Sequence, residues 1–250
     1  MEFKRHSDIK RLQFILDTLK NNLPPQSVVL DVGCGNGVIS RSLGEAGYNV
    51  YGIDVSEKAI ERAKELNTFP NVRFAVVSAE QLIAEEKKYD AIICSEVLEH
   101  LNKPGDLLNT LSQSLTNTGV LIVTVPNGMG PRELFVTKPV IWLQKKDNFL
   151  WRSVLKVKKL LGYQGTTVQS NASDLTHIQF FTRRSLHSLA TSNNFKIIQF
   201  GKTNFIEDVF PFSLLSKRFI LLQKMDCAIA EILPANFTGG FVTVWKKNIS

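Results

Sequence analysis

Val29-Leu-Asp-Val-Gly-Cys-Gly-Asn-Gly37 is the stretch from which the rest of the chain can be read. A short buried run, Val28 to Val32, gives way to glycines at 33, 35 and 37, and a helix follows to about Ala46. Glycine lets the backbone turn tightly after a strand and approach a ligand with no Cβ in the way. A dinucleotide fingerprint, G-x-G-x-x-G, counted from Gly33 requires glycine at 38, where Val38 stands. Asp31 inside the strand is equally unsuited to a pyrophosphate. Together these features suit a ligand with a positively charged amino-acid end.

The alternation continues outward from this turn. Ile9, Leu12, Ile15, Leu16 and Leu19 recur at helical spacing before Pro24-Pro25 end that helix. Asn49 to Asp54 reads as a second strand ending on an acid, and Ser56 as the N-cap of a helix over Lys58 to Leu66. Val72 to Val77 and Tyr89 to Cys94 are further strands. Pro104 to Leu115 is a helix opened by proline, and Gly119 to Val125 is a fifth strand. Thr182 to Ser192 (helix), Phe195 to Phe200 (strand) and Gly239 to Lys246 (edge strand) complete the series. The pattern predicts an α/β doubly wound sheet of seven strands, mostly parallel.

The glycine turn resembles motif I of class I S-adenosylmethionine-dependent methyltransferases. The resemblance covers about Leu12 to Asn127, and again His177 to the final strand. It implies a Rossmann-like sheet with an antiparallel last strand, and the break in the alternation over 128–173 reads as an inserted helical lid. It also implies that Asp31, Gly33, Gly35 and Gly37 hold the methionine end of the cofactor, while Asp54 accepts both ribose hydroxyls. The family places an acid and a small residue after the third strand to read the adenine. Here Val77-Ser78-Ala79-Glu80 stands there, with Ser78 at the acid position, so Ser78, the Ala79 N–H or Glu80 would take that contact. Glu80 reads equally well as an acid at a helix start. Ile53, Val55 and Leu82 are expected to flank the purine, and Ser95 to close the cofactor site at the end of the fourth strand.

Ser95-Glu96-Val-Leu-Glu99-His100 follows that strand. On a helical turn, 96, 99 and 100 share one face at the C-terminal edge of the sheet, where ligands of parallel sheets bind. Two carboxylates and an imidazole suit Mg²⁺, Mn²⁺ or Fe²⁺ better than structural zinc. Glu-x-x-Glu-His at this place is similar to the ubiquinone-biosynthesis O-methyltransferases and to the small-RNA 2′-O-methyltransferases. In the latter the resemblance implies a metal held by Glu96, Glu99 and His100 and completed by a downstream histidine, here His177. The other reading has Glu96 capping a helix, Glu99 solvated, and His100 acting alone as general base. Both predict methylation of a hydroxyl oxygen, whose proton must be removed or its pKa lowered.

The composition sets further bounds. The chain has 30 basic and 23 acidic residues, a net charge of +7. Between Arg132 and Gly165 eight basic residues face only Glu133 and Asp147, which accounts for most of that excess. This stretch, within a lid insertion read over 128–173, mixes lysines with Trp142, Phe149, Trp151 and Tyr163. Over 139–161 it can cover an apolar pocket, lie on an anionic membrane surface, bind phosphates, or be a plain solvated helix. Phe205 to Leu233 reads as a second apolar lid segment (205–233) within the C-terminal part, 174–250, of one 1–250 domain whose cofactor core is 1–127. Three scattered cysteines exclude a disulfide framework. No signal peptide and no membrane-length apolar run is visible, so the expectation is a cytoplasmic protein, peripheral to membranes at most. The acceptor is expected to be a phenol- or catechol-like, or lipidic, small molecule. A modest charge and no RNA-binding module argue against RNA. A non-catalytic cofactor-binding partner subunit is the remaining alternative, opposed by the intact acid–histidine cluster.

Overall fold

Two apolar runs, β1 (Val28–Val32) and β2 (Asn49–Asp54), lie side by side in parallel in the computed structural model, Val28 opposite Asn49 and Val32 opposite Ile53. The structure describes residues 3, 5–78, 81, 87–139, 178–207, 209, 212–216 and 218–248. Beyond β2 the sheet continues with β3 (Val72–Val76). On the other side of β1 come β4 (Tyr89–Ser95) and β5 (Leu115–Pro126), followed by β7 (Gly240–Lys247) and the edge strand β6 (Phe195–Lys202). The order is therefore β3-β2-β1-β4-β5-β7-β6. Only β7 runs against its neighbours, antiparallel to both β5 and β6. This is the predicted seven-stranded Rossmann-like sheet with its antiparallel last strand, although β7 lies inside the sheet and β6 forms the edge.

The helices begin where local chemistry favours them. In α1 (His6–Asn22) the apolar stripe Leu12, Ile15 and Leu19 is buried, and the chain leaves the helix just before Pro24. Gly37, left-handed at φ 77°, starts α2 (Val38–Glu45). Ser56 caps α3 (Glu57–Leu66) by accepting the Ala59 N–H, and Pro104 occupies the first turn of α4 (Pro104–Ser114). A reciprocal Thr182–Ser185 capping box opens α5 (Arg183–Ser192). Between β6 and β7, α6 (Phe212–Ser216) and α7 (Ile220–Ile232) occupy the apolar 205–233 stretch.

Period-two alternation divides the core between the two faces of the sheet. Leu30 and Val32 of β1, with Ile92 and Cys94 of β4, face Leu107, Leu108 and Leu111 of α4 and Leu186 of α5. Val29, Ala91 and Ile93 face the other way, toward Ile15 and Leu19 of α1, Ile39 and Leu43 of α2, and Ile60 of α3. Asp31 shares the parity of Val29 and so points to the side that α2 covers. Cys34, Cys94 and Cys227 are free and buried. Of the expected lid, 140–177 lies outside the described residues; the described part includes a π-helical turn at Glu133–Thr137. Among the described residues no helix is long and apolar enough to cross a membrane.

Trp245 is fully buried in β7, edge-on to Phe195, and donates its indole N–H to Thr243 at 2.7 Å. Trp245→Ala leaves a cavity between β6 and the helices of one face. It is expected to destabilise the protein by about 3–5 kcal/mol, measured from urea unfolding curves. A loss below about 1 kcal/mol would mean that this end of the sheet is not part of the cooperative core.

Candidate active site

The strand order reverses between β1 and β4, and the loops leaving their C-terminal ends meet there. Gly33, Gly35 and Gly37 all have positive φ, 67°, 55° and 77°, a conformation in which a side chain is strained. Space reinforces the requirement at two of them. A Cβ on Gly33 would stand 2.6 Å from Val97 Cγ2, and one on Gly37 would stand 2.5 Å from Phe74 Cζ. The loop after β4 is thereby pressed directly onto the glycine turn. The turn is also tied to β2: the Gly35 N–H donates to Asp54 Oδ2 at 2.9 Å and the Cys34 N–H to the Ile53 carbonyl at 3.0 Å. The other Asp54 oxygen accepts the Ser56 N–H at 2.8 Å.

Asp31 lies inside this edge, 1% exposed, accepting a 2.5 Å hydrogen bond from Ser40 of α2. Burial pushes its carboxyl from the ordinary 3.8 up to about 7; the Ser40 bond opposes that rise and the Asp54 charge adds to it. Ser78 is half-buried after β3, and its N–H donates to the Gln81 side chain at 2.9 Å. Ala79, Glu80 and Leu82 lie outside the described residues. Of the two described purine-flanking candidates, Ile53 is sealed in the core at 1% exposure, whereas Val55 stands 76% exposed.

The acid–histidine cluster is built differently from the single helical turn that the spacing predicts. Glu96 is left-handed, φ 58°, and lies outside the helical turn, which spans only Leu98–His100. This corrects the expectation that 96, 99 and 100 share a helix face. The left-handed conformation is held by the Glu96 N–H to the Thr124 carbonyl at 3.0 Å and by the Thr124 hydroxyl to Glu96 Oε1, also 3.0 Å. Ser95 joins the same group, its hydroxyl 2.9 Å from that of Thr124. The second Glu96 oxygen faces Arg11 of α1, Nη2 at 3.6 Å. Backbone held in a rare conformation by several bonds at once is a recurring mark of functional sites.

Glu99 is buried at 1% exposure, and neither carboxylate oxygen makes a hydrogen bond with a described residue. Its Oε1 is 3.8 Å from His100 Nε2. Burial, then the Glu96 charge, raise its pKa well above the ordinary range, and Glu133 adds to this; its own backbone N–H and Arg11 oppose the rise. The chain re-enters the described region on this residue: the N–H groups of Ile178 and Gln179 both donate to the Glu99 carbonyl, at 2.8 and 2.9 Å. His177 itself lies outside the described residues.

Sequence reasoning missed Arg11, Thr124 and Glu133. Arg11 belongs to a helix whose pattern signals only packing, and Thr124 lies in a continuous apolar strand. Neither position carries a local signal. Asn127 is a fourth omission; its side-chain amide donates to the carbonyls of Ala235, Asn236 and Thr238, which pins the end of β5 to the loop before β7. Among the described residues no three His, Cys, Asp or Glu side chains form a group able to hold a metal ion.

A family model described as a methyltransferase domain matches residues 4–200. A ubiquinone biosynthesis O-methyltransferase of Hydrogenovibrio crunogenus is 36% identical over 102 residues, 40% of this chain and 42% of that protein. The chain spans about half the length of the curated relatives it matches. Among solved structures, magnesium protoporphyrin IX methyltransferase from Synechocystis PCC 6803, with bound S-adenosylhomocysteine, aligns with a TM-score of 0.57 at 20% identity over 96% of this chain and 83% of that one. The 1,6-didemethyltoxoflavin-N1-methyltransferase of Burkholderia thailandensis aligns with the same score at 16% identity, over 96% and 79%. At these identities the structural likenesses speak for the fold alone.

The state of Asp31 has a consequence for stability. A carboxyl whose folded pKa is raised favours folding less as pH climbs from its unfolded value through its folded one. Asp31 therefore withdraws stability between about pH 4 and pH 7, on the order of a few kcal/mol once complete. Asp31→Asn keeps an acceptor for Ser40 and does not titrate. The variant is expected to gain on the wild type between pH 5 and pH 8 in urea midpoints. A difference independent of pH would show that Asp31 is not strained by burial.

Proposed function

The chain belongs to the methyltransferase-domain family, and on that premise we propose that it moves the methyl group of S-adenosylmethionine to a hydroxyl oxygen of a small phenol-, catechol-like or lipidic acceptor. The observation that carries this reading is the pairing of His100 with the buried Glu99 carboxylate, which accepts no hydrogen bond from another described residue, on the loop that presses Val97 against the cofactor-side glycine turn. The name of the curated relatives, O-methyltransferases, supports the choice of an oxygen acceptor.

S-adenosylmethionine, when bound, supplies an electrophilic methyl on a sulfonium. The chain supplies the rest. The backbone opened by Gly33, Gly35 and Gly37 admits the methionine end, and the Asp31 charge beneath the turn attracts its ammonium. The Asp54 carboxylate, preset by the Gly35 and Ser56 N–H groups, accepts the ribose hydroxyls. Ser95 borders this site, and Ser78, with Ala79 and Glu80, takes the adenine edge. His100 removes the acceptor proton as the oxygen attacks the methyl carbon and the carbon–sulfur bond breaks, leaving an imidazolium beside Glu99. Proximity of two sites on adjoining loops supplies the alignment.

A divalent cation, Mg²⁺, Mn²⁺ or Fe²⁺, would suit the donor types at this edge, although Glu96, Glu99 and His100 do not by themselves form a metal-holding group among the described residues. The Glu99 oxygens, without a hydrogen bond from another described residue, and the mutual charge of Glu96, Glu99 and Glu133 are what such an ion would relieve. Glu96, Glu99 and His100 would hold it, with His177, whose chain neighbour Ile178 hydrogen-bonds to Glu99; it would lower the pKa of the acceptor hydroxyl. The second reading, a metal-free base, is favoured by Arg11, a cation already 3.6 Å from Glu96.

Two measurements test these readings. In calorimetric titrations with S-adenosylhomocysteine, Asp54→Ala is expected to weaken binding about 100-fold or more, since two charge-assisted hydrogen bonds are lost. Unchanged affinity would remove the ribose assignment. Mg²⁺ and then Mn²⁺ titrated into the protein–S-adenosylhomocysteine complex are expected to bind at one site, weakened in Glu99→Gln with product binding spared. No metal binding, together with catechol methylation that persists in chelator and falls about 10²–10⁴-fold in His100→Ala, would select the metal-free base.

A further inference from the structure

The helical pair between β6 and β7 is inside out. In α7 the buried residues are Gln223, Asp226, Cys227 and Ala230, whereas Leu221, Met225, Ile229 and Ile232 are exposed, from 44% at Ile229 to 87% at Ile232. At about 100° per residue the four exposed apolar side chains fall within roughly 80° of one another, opposite the buried polar ones. The shorter α6 repeats the inversion, with Ser213 and Ser216 buried and Leu214 and Leu215 exposed. Phe219, between them, is 55% exposed.

This orientation is fixed by hydrogen bonds. The Asp226 carboxylate accepts the backbone N–H groups of Phe205, Ile206 and Glu207 at 2.8, 2.9 and 3.2 Å. Gln223 accepts the His6 N–H at 2.7 Å and donates to the Ser216 carbonyl at 2.7 Å. Turning α7 over to bury its leucine and isoleucines would break all five bonds and strand a carboxylate. The apolar face is therefore held outward, larger than the scattered single exposures normal on a soluble surface.

The charges around the face say what covers it. From Val209 to Met225 the sequence contains Lys217, Arg218 and Lys224 and no acid. Arg218 and Lys224 are exposed. The two acids that follow are already engaged, Asp226 by the backbone and Glu231 by Lys10 at 2.5 Å. A second copy of this chain docked by two-fold symmetry would set the same basic residues against one another across the contact. An apolar helix face rimmed by exposed basic residues suits the headgroup–acyl boundary of an anionic bilayer. We propose that the outward face of α6 and α7, centred on Phe219, Leu221, Met225 and Ile229, docks the protein on an anionic membrane surface. The site is distinct from the basic 139–161 stretch and does not depend on the chemistry of the acceptor.

The test is flotation of the full chain with phosphatidylcholine vesicles, pure or carrying about one-third phosphatidylglycerol. The wild type is expected to float with the anionic vesicles and to be released as salt rises. Leu221→Gln combined with Ile229→Gln should weaken that binding about tenfold or more, because exposed apolar side chains that would enter the bilayer are lost. Arg218→Glu combined with Lys224→Glu should abolish it. Neither pair touches the buried polar face, so unchanged thermal melts and unchanged S-adenosylhomocysteine binding identify the variants as folded. Three results overturn the proposal: no flotation of the wild type with anionic vesicles, flotation that survives the glutamine pair, or a concentration-dependent dimer in sedimentation that the glutamine pair dissociates while vesicles bind neither protein.

Discussion

The site depends on β1 being paired in parallel on both sides while its backbone ends in residues that must be left-handed. A strand bonded to β2 on one edge and β4 on the other, and buried on both faces, cannot slide without breaking two ladders. The place where the chain leaves it is therefore fixed, and everything at that edge is measured from it. Gly33 then permits Val97 to approach more closely than any side chain at 33 would allow. Asp54 at the end of β2 reaches across to the Gly35 N–H. The connections after β1, β2 and β4 converge because one central strand cannot move, which is why ligands of open parallel sheets collect where the strand order reverses.

Electrostatics at this edge run against stability. Asp31 and Glu99 are buried acids with raised pKa values, the first held by Ser40 and the second without a hydrogen bond from another described residue. Glu96 and Glu133 add like charge, and Arg11, shared with Asp8 and Glu96, offsets the rise at Glu99 only in part. A core built only for stability would place apolar residues here. A site that must welcome an ammonium at one end and a developing imidazolium or a cation at the other gains from carboxyls already desolvated, because the charged form that the incoming positive group draws out interacts with it less screened.

The sequence made the sheet legible because its signals are local. Glycine spacing, period-two runs and caps such as Ser56 and Thr182 each act within a few residues, and the strands β1 and β2 begin and end where those signals put them. β5 starts four residues before the expected Gly119, since pairing of Leu115 with Tyr89, a tertiary contact, extends it. The cofactor edge was legible for the same reason, through glycines and a strand-ending acid. The acid–histidine edge was legible in composition and not in geometry. Nothing in Ser95-Glu96-Val97 announces a left-handed glutamate; that conformation is imposed by Thr124 on a neighbouring strand and by Arg11 on a helix 85 positions away. Long-range partners leave no mark in a window of ten residues.

Two departures from local rules, at Glu96 and in the α6–α7 pair, are different in kind. Glu96 breaks a backbone preference at a single residue, and the surrounding bonds hold it, so its effect stays within the site. The α6–α7 pair breaks the binary pattern over whole helices. The outward apolar residues of α7 keep 44–87% of their surface exposed, and its polar residues satisfy the loop at Phe205–Glu207 and the start of α1. A sequence under pressure for solubility alone would exchange Leu221 and Ile232 for polar residues at no cost in packing. Their retention on an outward face that five hydrogen bonds prevent from turning inward is a cost without return in the isolated chain. The return must come from a surface outside it.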